Sequence, residues 1–156
     1  MRKFRPLHGI LLVALLLVLF LGLEAVLGHH GRDFVRVSPD ASGRVEIPVG
    51  DLRANEVRFY RFLNSGNQEV KFLVGRDDSG EVQVAFDASD SDYKRRRGFR
   101  AEGAWLVNNK CDTAIRLAEV NDGRGGCAPV PLRHRVEGDR LLLAENDILE
   151  GWRYFR

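Results

Sequence analysis

Cys111 and Cys127 are the two cysteines of this chain. A thiolate is the softest ligand and the strongest nucleophile a side chain offers, so metal binding and covalent chemistry both start with them. His134, between Arg133 and Arg135, offers an imidazole. His29 and His30 form an adjacent pair that binds copper or zinc when further ligands are near, and reads as a solvated pair when none is. Enzyme chemistry has thin support. Ser89 lies outside any Gly-x-Ser-x-Gly elbow, and no Ser-His-Asp spacing is recognisable. Gly123-Arg124-Gly125-Gly126 fits a backbone nest for an anion, but lacks the Lys-Ser/Thr ending of a phosphate loop. Lys94-Arg95-Arg96-Arg97 is a dense positive run that suits anionic headgroups, an acidic partner or plain solvation.

The elements that must position these residues read as strands. Val45, Ile47 and Val49 alternate with polar neighbours, as do Val57, Phe59 and Phe62, then Val70, Phe72 and Val74, then Val82, Val84 and Phe86. Asn64-Ser65-Gly66-Asn67 and Asp77-Asp78-Ser79-Gly80 are turn sequences between the second and third runs and the third and fourth. The first half is therefore expected as an antiparallel meander of about four strands. The second half predicts a short helix over 90–97 ended by Gly98, brief strands at Trp105-Leu106-Val107 and at Ile115 and Leu117, and a glycine-rich loop from Asn121 to Cys127. Glu137-Gly138-Asp139 turns a short strand into Leu141-Leu142-Leu143. Asp147 caps a last helical turn before Trp152, Tyr154 and Phe155, aromatics that seal the core or touch a partner.

Residues 1–28 stand apart. Arg2, Lys3 and Arg5 precede an apolar run that begins at Gly9 and ends at Gly28, broken only by Glu24 near its outer end. As a helix it would span about 30 Å, the hydrocarbon thickness of a bilayer. The run is either an uncleaved anchor or a signal peptide, and Val26-Leu27-Gly28 is a weak cleavage sequence. Either way the basic end stays in the cytoplasm and the rest is exported. Residues 29–43, rich in Gly, Ser, Pro and Asp, are expected as a stalk, and residues 44–156 as the exported domain. With Arg2, Lys3, Arg5 and Glu24 set aside from the 24 basic and 22 acidic residues, that domain is neutral, which leaves no electrostatic claim on nucleic acid.

Five segments, in order, carry a resemblance. They are Phe86-Asp87-Ala88-Ser89-Asp90-Ser91-Asp92-Tyr93, Gly98-Phe99, Glu102-Gly103, Leu106-Val107-Asn108-Asn109-Lys110-Cys111, and Gly125-Gly126-Cys127-Ala128-Pro129-Val130-Pro131-Leu132. Together with the Phe59-Tyr60 and Phe72-Leu73-Val74 strands, they resemble a bacterial and archaeal family of predicted iron–sulfur membrane proteins, formally a domain of unknown function, over residues 45–155. That family carries one Cys-x-x-Cys where this chain has Ser89 and Asp92, and a second where it has Asn108 and Cys111. The cysteine of its Gly-Gly-Cys-x-Pro-x-Pro-Leu segment is kept as Cys127. Three of five expected thiolates are gone.

The resemblance implies a membrane-attached metal or iron–sulfur domain linked to electron transfer or iron. What remains here is a poor ligand set: a serine hydroxyl stays protonated at neutral pH, and an asparagine carbonyl binds weakly. The family pattern brings Cys111 and Cys127 to one site, so outside the cytoplasm they are expected to form a disulfide that replaces the metal as a staple. No bound metal or cofactor is expected. Were a metal held, Asp92, Cys111, Cys127 and His134 would hold it. The expectation is a mainly β protein with an N-terminal transmembrane helix and a small antiparallel sheet or barrel-like extracytoplasmic domain. It would serve without catalysis as an accessory subunit in the bacterial cytoplasmic membrane, meeting larger membrane subunits through residues 9–28 and the β domain, and meeting lipid. The rival reading is a metal-binding protein that delivers iron or copper to a transporter.

Overall fold

The computed structural model describes Leu15 and residues 32–156. The expected transmembrane helix, Glu24, His29 and His30 lie outside the described residues. Among the described residues no helix is long and apolar enough to cross a membrane.

The first strand, β1 (Phe34–Val37), lies inside the segment expected as a stalk. It pairs in parallel with β3 (Glu56–Leu63), Phe34 opposite Phe59 and Val37 opposite Phe62. Then β3, β4 (Glu69–Arg76) and β5 (Val82–Ser89) form the expected antiparallel meander, with β3 and β4 in register from Glu56↔Arg76 to Leu63↔Glu69. β9 (Pro129–Pro131) closes the order β1-β3-β4-β5-β9.

β2 (Arg44–Pro48) was expected beside β3, but it belongs to another sheet. It pairs with β11 (Arg140–Ala144), Val45 opposite Leu143 and Ile47 opposite Leu141, and β11 pairs with β10 (Arg135–Glu137). Residues 49–55 between β2 and β3 are too many for a tight hairpin, so nothing local holds the two together. The third sheet is β6 (Phe99–Glu102), β7 (Trp105–Asn108) and β8 (Ala114–Arg116). Three small sheets therefore replace the barrel-like closure.

Burial explains the arrangement. All eight residues of β5 are buried, because the central sheet is covered on both faces. On one face Phe62, Phe72, Val74, Val84 and Phe86 pack against Val45, Ile47, Leu141 and Leu143. On the other, Phe59, Leu73 and Ala85 pack against Phe99, Leu106 and Leu117. Alternate residues of one strand thus serve two cores. A side chain at Gly75 would put its Cβ 2.8 Å from Leu117 Cδ1, so the buried Leu117 side chain would have to shift to admit it.

The helices are shorter than expected. Only Tyr93–Arg95 form a 3-10 turn in the stretch 90–97, because Arg96 at φ 52° takes the left-handed conformation and stops it. Leu117 leaves the strand and opens a second 3-10 turn, Leu117–Asp122. α1 (Glu145–Glu150) starts two residues ahead of Asp147, which sits in its first turn instead of capping it and pairs with Arg133. After it, Tyr154 is buried, and Trp152 and Phe155 pack half-buried on the same core.

Candidate functional site

Three chain segments end at one place. β5 delivers Ser89 as its last residue, and the turn after it carries Asp92, whose N–H donates to the Ser89 carbonyl at 3.4 Å. β7 delivers Asn108 as its last residue, and the turn after it carries Cys111. The glycine loop delivers Cys127, with Gly125 and Gly126 at φ 67° and 62°, a conformation that excludes most side chains. The link between β5 and β6 is Asp87, buried at 5% exposure, whose carboxylate accepts the Phe99 N–H at 2.7 Å. Asp87 stands inside the segment 86–93 without a role assigned from sequence. Its signal was a carboxylate between Phe86 and Ala88 on the face of the run that also carries Gln83 and Ser89.

Asn108 is the centre of the site and is 1% exposed. Its Oδ1 accepts two backbone N–H groups, Lys110 at 2.9 Å and Cys111 at 3.0 Å. Its Nδ2 donates to Ser89 Oγ at 3.3 Å and to the Cys127 carbonyl at 3.0 Å. One amide therefore joins all three segments.

Cys111 and Cys127 are joined by a disulfide with Cα atoms 6.3 Å apart. Ser91 supports it, with its N–H on the Gly126 carbonyl at 3.2 Å and its hydroxyl 3.4 Å from the Cys127 sulfur. Asp92 is 5% exposed and its Oδ1 has no hydrogen-bond donor among the described residues; the nearest cation is Lys110 Nζ at 3.5 Å.

The structure thus gathers Ser89, Asp92, Asn108, Cys111 and Cys127. His134 stays apart. Its Nδ1 lies 2.9 Å from the Leu132 carbonyl, and it borders clefts shared with Arg44 and Asp147, and with Arg76 and Gln83. None of the five gathered residues lines those clefts.

Two turns of i, i+3 spacing meet a glycine loop on a small covered β scaffold, and the disulfide joins one of those turns to that loop. The chain matches the family described as "Membrane iron-sulfur containing protein FtrD-like" over residues 52–155, and it belongs to that family. Comparison with curated proteins and with solved structures returned no match.

An iron–sulfur cluster does not fit the residues present. Clusters are held by thiolates, usually four. Here the five positions supply a hydroxyl, a carboxylate, an amide and two sulfurs already bonded to each other. Among the described residues no group of three or more His, Cys, Asp and Glu is placed to hold a metal ion.

Proposed function

We propose that this chain is a non-catalytic, membrane-anchored accessory subunit of an electron-transfer or iron-handling assembly, with the ligand site of its family turned into a structural joint. Residues 9–28 would pack against larger membrane subunits, and the β domain would stand on the extracytoplasmic side of the bacterial cytoplasmic membrane. The observation that carries this reading is Asn108. Its amide engages both turn N–H groups, the Ser89 hydroxyl and the glycine loop, so the joint is closed by the protein's own atoms. The disulfide is the second closure.

Counting thiols and metal on the purified full chain tests this. No free thiol and no metal support the accessory role. Two free thiols with stoichiometric metal support delivery of iron or copper to a transporter. One observation favours that second reading: the Asp92 Oδ1 atom, buried beside Lys110 without a hydrogen bond, is the sort of oxygen a cation would take. The combined substitutions Ser89→Cys, Asp92→Cys and Asn108→Cys test the placement of the family site. With the disulfide reduced, the variant should take up iron or zinc; a folded triple variant that takes up neither rejects that placement.

A further inference from the structure

Cations on the surface of this domain are mostly paired. Arg58 lies 3.1 Å from Asp51, Arg100 lies 3.0 Å from Asp112, and Arg140 lies 3.3 Å from Glu46. Arg36 and Arg44 are exposed without a carboxylate partner among the described residues, and one further region gathers several such cations. Lys94, Arg95, Arg96 and Arg156 are exposed and have no carboxylate partner among the described residues. Beside them a cleft of about 460 Å³ is lined by Asp90, Tyr93, Lys94, Arg153, Tyr154 and Arg156.

Buried tyrosine orders this cleft. Tyr154 is 5% exposed, with its ring 5.6 Å from that of Tyr93. Its hydroxyl donates to Asp90 Oδ1 at 2.9 Å and accepts from Arg153 Nη2 at 2.6 Å. The Arg153 guanidinium also lies over the Tyr154 ring, 4.7 Å from its centroid. Arg153 is therefore held in place by a phenol, with guanidinium N–H groups left to donate. The other side is held by backbone, since Arg95 N–H donates to the Asp92 carbonyl and Arg96 N–H to the Tyr93 carbonyl, each at 3.0 Å. Among the residues lining the cleft, Lys94, Arg153 and Arg156 outnumber the carboxylate of Asp90, which already accepts from Tyr154; Glu150 also acts on Arg153 from outside the lining.

We infer that this cleft binds the phosphate group of an anionic phospholipid headgroup, through Lys94, Arg153 and Arg156. A surplus of cations with many N–H donors matches a phosphate, whose oxygens accept from several at once. The exposed Arg95 and Arg96 beside the cleft extend the positive surface toward neighbouring headgroups. The choice of lipid over a free anion rests on membership of a membrane-protein family, not on the accessory role.

The test titrates the full chain, in an uncharged detergent, with short-chain phosphatidylglycerol, short-chain phosphatidylcholine and inorganic phosphate, followed by calorimetry. Phosphatidylglycerol should bind saturably and at least about tenfold more tightly than either of the others. Each cation near an anionic headgroup contributes about fivefold, so Lys94→Gln, Arg153→Gln and Arg156→Gln together should raise Kd about 100-fold. A charge-matched control, Arg116→Gln with Arg135→Gln and Arg140→Gln, should leave Kd nearly unchanged. Arg153→Lys, which keeps the charge, should retain most of the binding. Equal binding of the two lipids, or equal loss in the control, overturns the inference. Inorganic phosphate binding as tightly as phosphatidylglycerol overturns the lipid assignment. These residues touch neither sulfur, so failure here leaves the thiol and metal counts of the proposed function standing.

Discussion

Around Phe72 this chain is held by carbon against carbon; around Asn108 it is held by nitrogen, oxygen and one sulfur–sulfur bond. Phe72 is fully buried, stacked at 5.4 Å on Tyr60, and paired across the strands with Tyr60 and Phe86. Its neighbourhood needs no special residue, only apolar volume of the right shape. The joint is only a few residues further along β5, yet its buried side chains are Ser89, Asp92 and Asn108. Each must find a polar partner or weaken the fold. The difference teaches that the two regions place different demands on sequence: the sheet asks for apolar volume, while the joint asks for particular polar partners and relies on β5 and β7 to bring its turns together.

The sharpest way to break that comparison is to damage each half. Phe72→Ala should cost about 3–5 kcal/mol in denaturant unfolding, with or without reductant. Removing the disulfide by Cys111→Ser with Cys127→Ser should cost about 3 kcal/mol for a bridge between residues 16 apart in sequence. Here reductant should abolish the difference from wild type. If the Cys-to-Ser pair also exposes the amides of β3 and β4 to hydrogen exchange under native conditions, the two halves are not separable, and the comparison is wrong.

The sheets were more legible in the sequence than the joint. Period-two alternation found β2, β3, β4 and β5, but alternation gives a face and not a partner, so β2 was placed beside β3 instead of β11. β1 was missed because Phe34-Val35-Arg36-Val37 is short and sits among Gly, Ser and Pro; its order comes from the neighbouring β3, and Phe34 meets Phe59 at 5.8 Å. The meeting of Ser89 with Asn108 has no local signal at all. Only the family resemblance brought those positions together, and the disulfide was reached the same way. His134 was offered as a ligand on residue type alone, which carries no information about distance.

Asn108 sharpens the comparison from inside the joint. Asn108→Ala removes the acceptor of two N–H groups and the donor to Ser89 and Cys127, and should cost about 1–3 kcal/mol through buried groups left unpaired. Asn108→Asp keeps the acceptor but sets a buried carboxylate oxygen against the Cys127 carbonyl, so it should melt at least as low as alanine. If alanine is neutral, water or backbone shifts replace the amide, and its central role is refuted.

The smallest effect comes from a polar cluster in the Phe72 half, at the β4–β5 turn. Asp77 is 2% exposed. Burial is the strongest single influence on its carboxyl and pushes the pKa up, but hydrogen bonds from Ser79, Gln83 and the Glu81 N–H together outweigh it, and the pKa falls below its ordinary 3.8. A depressed folded pKa gives stability that is present above the unfolded value and lost as pH drops through the folded one. Asp77→Asn should therefore be less stable than wild type at pH 7, and the gap should narrow only below about pH 4. A gap that stays constant from pH 7 to pH 2 would mean that the turn is held by shape rather than by charge, and that even this corner of the sheet half obeys the carbon rule.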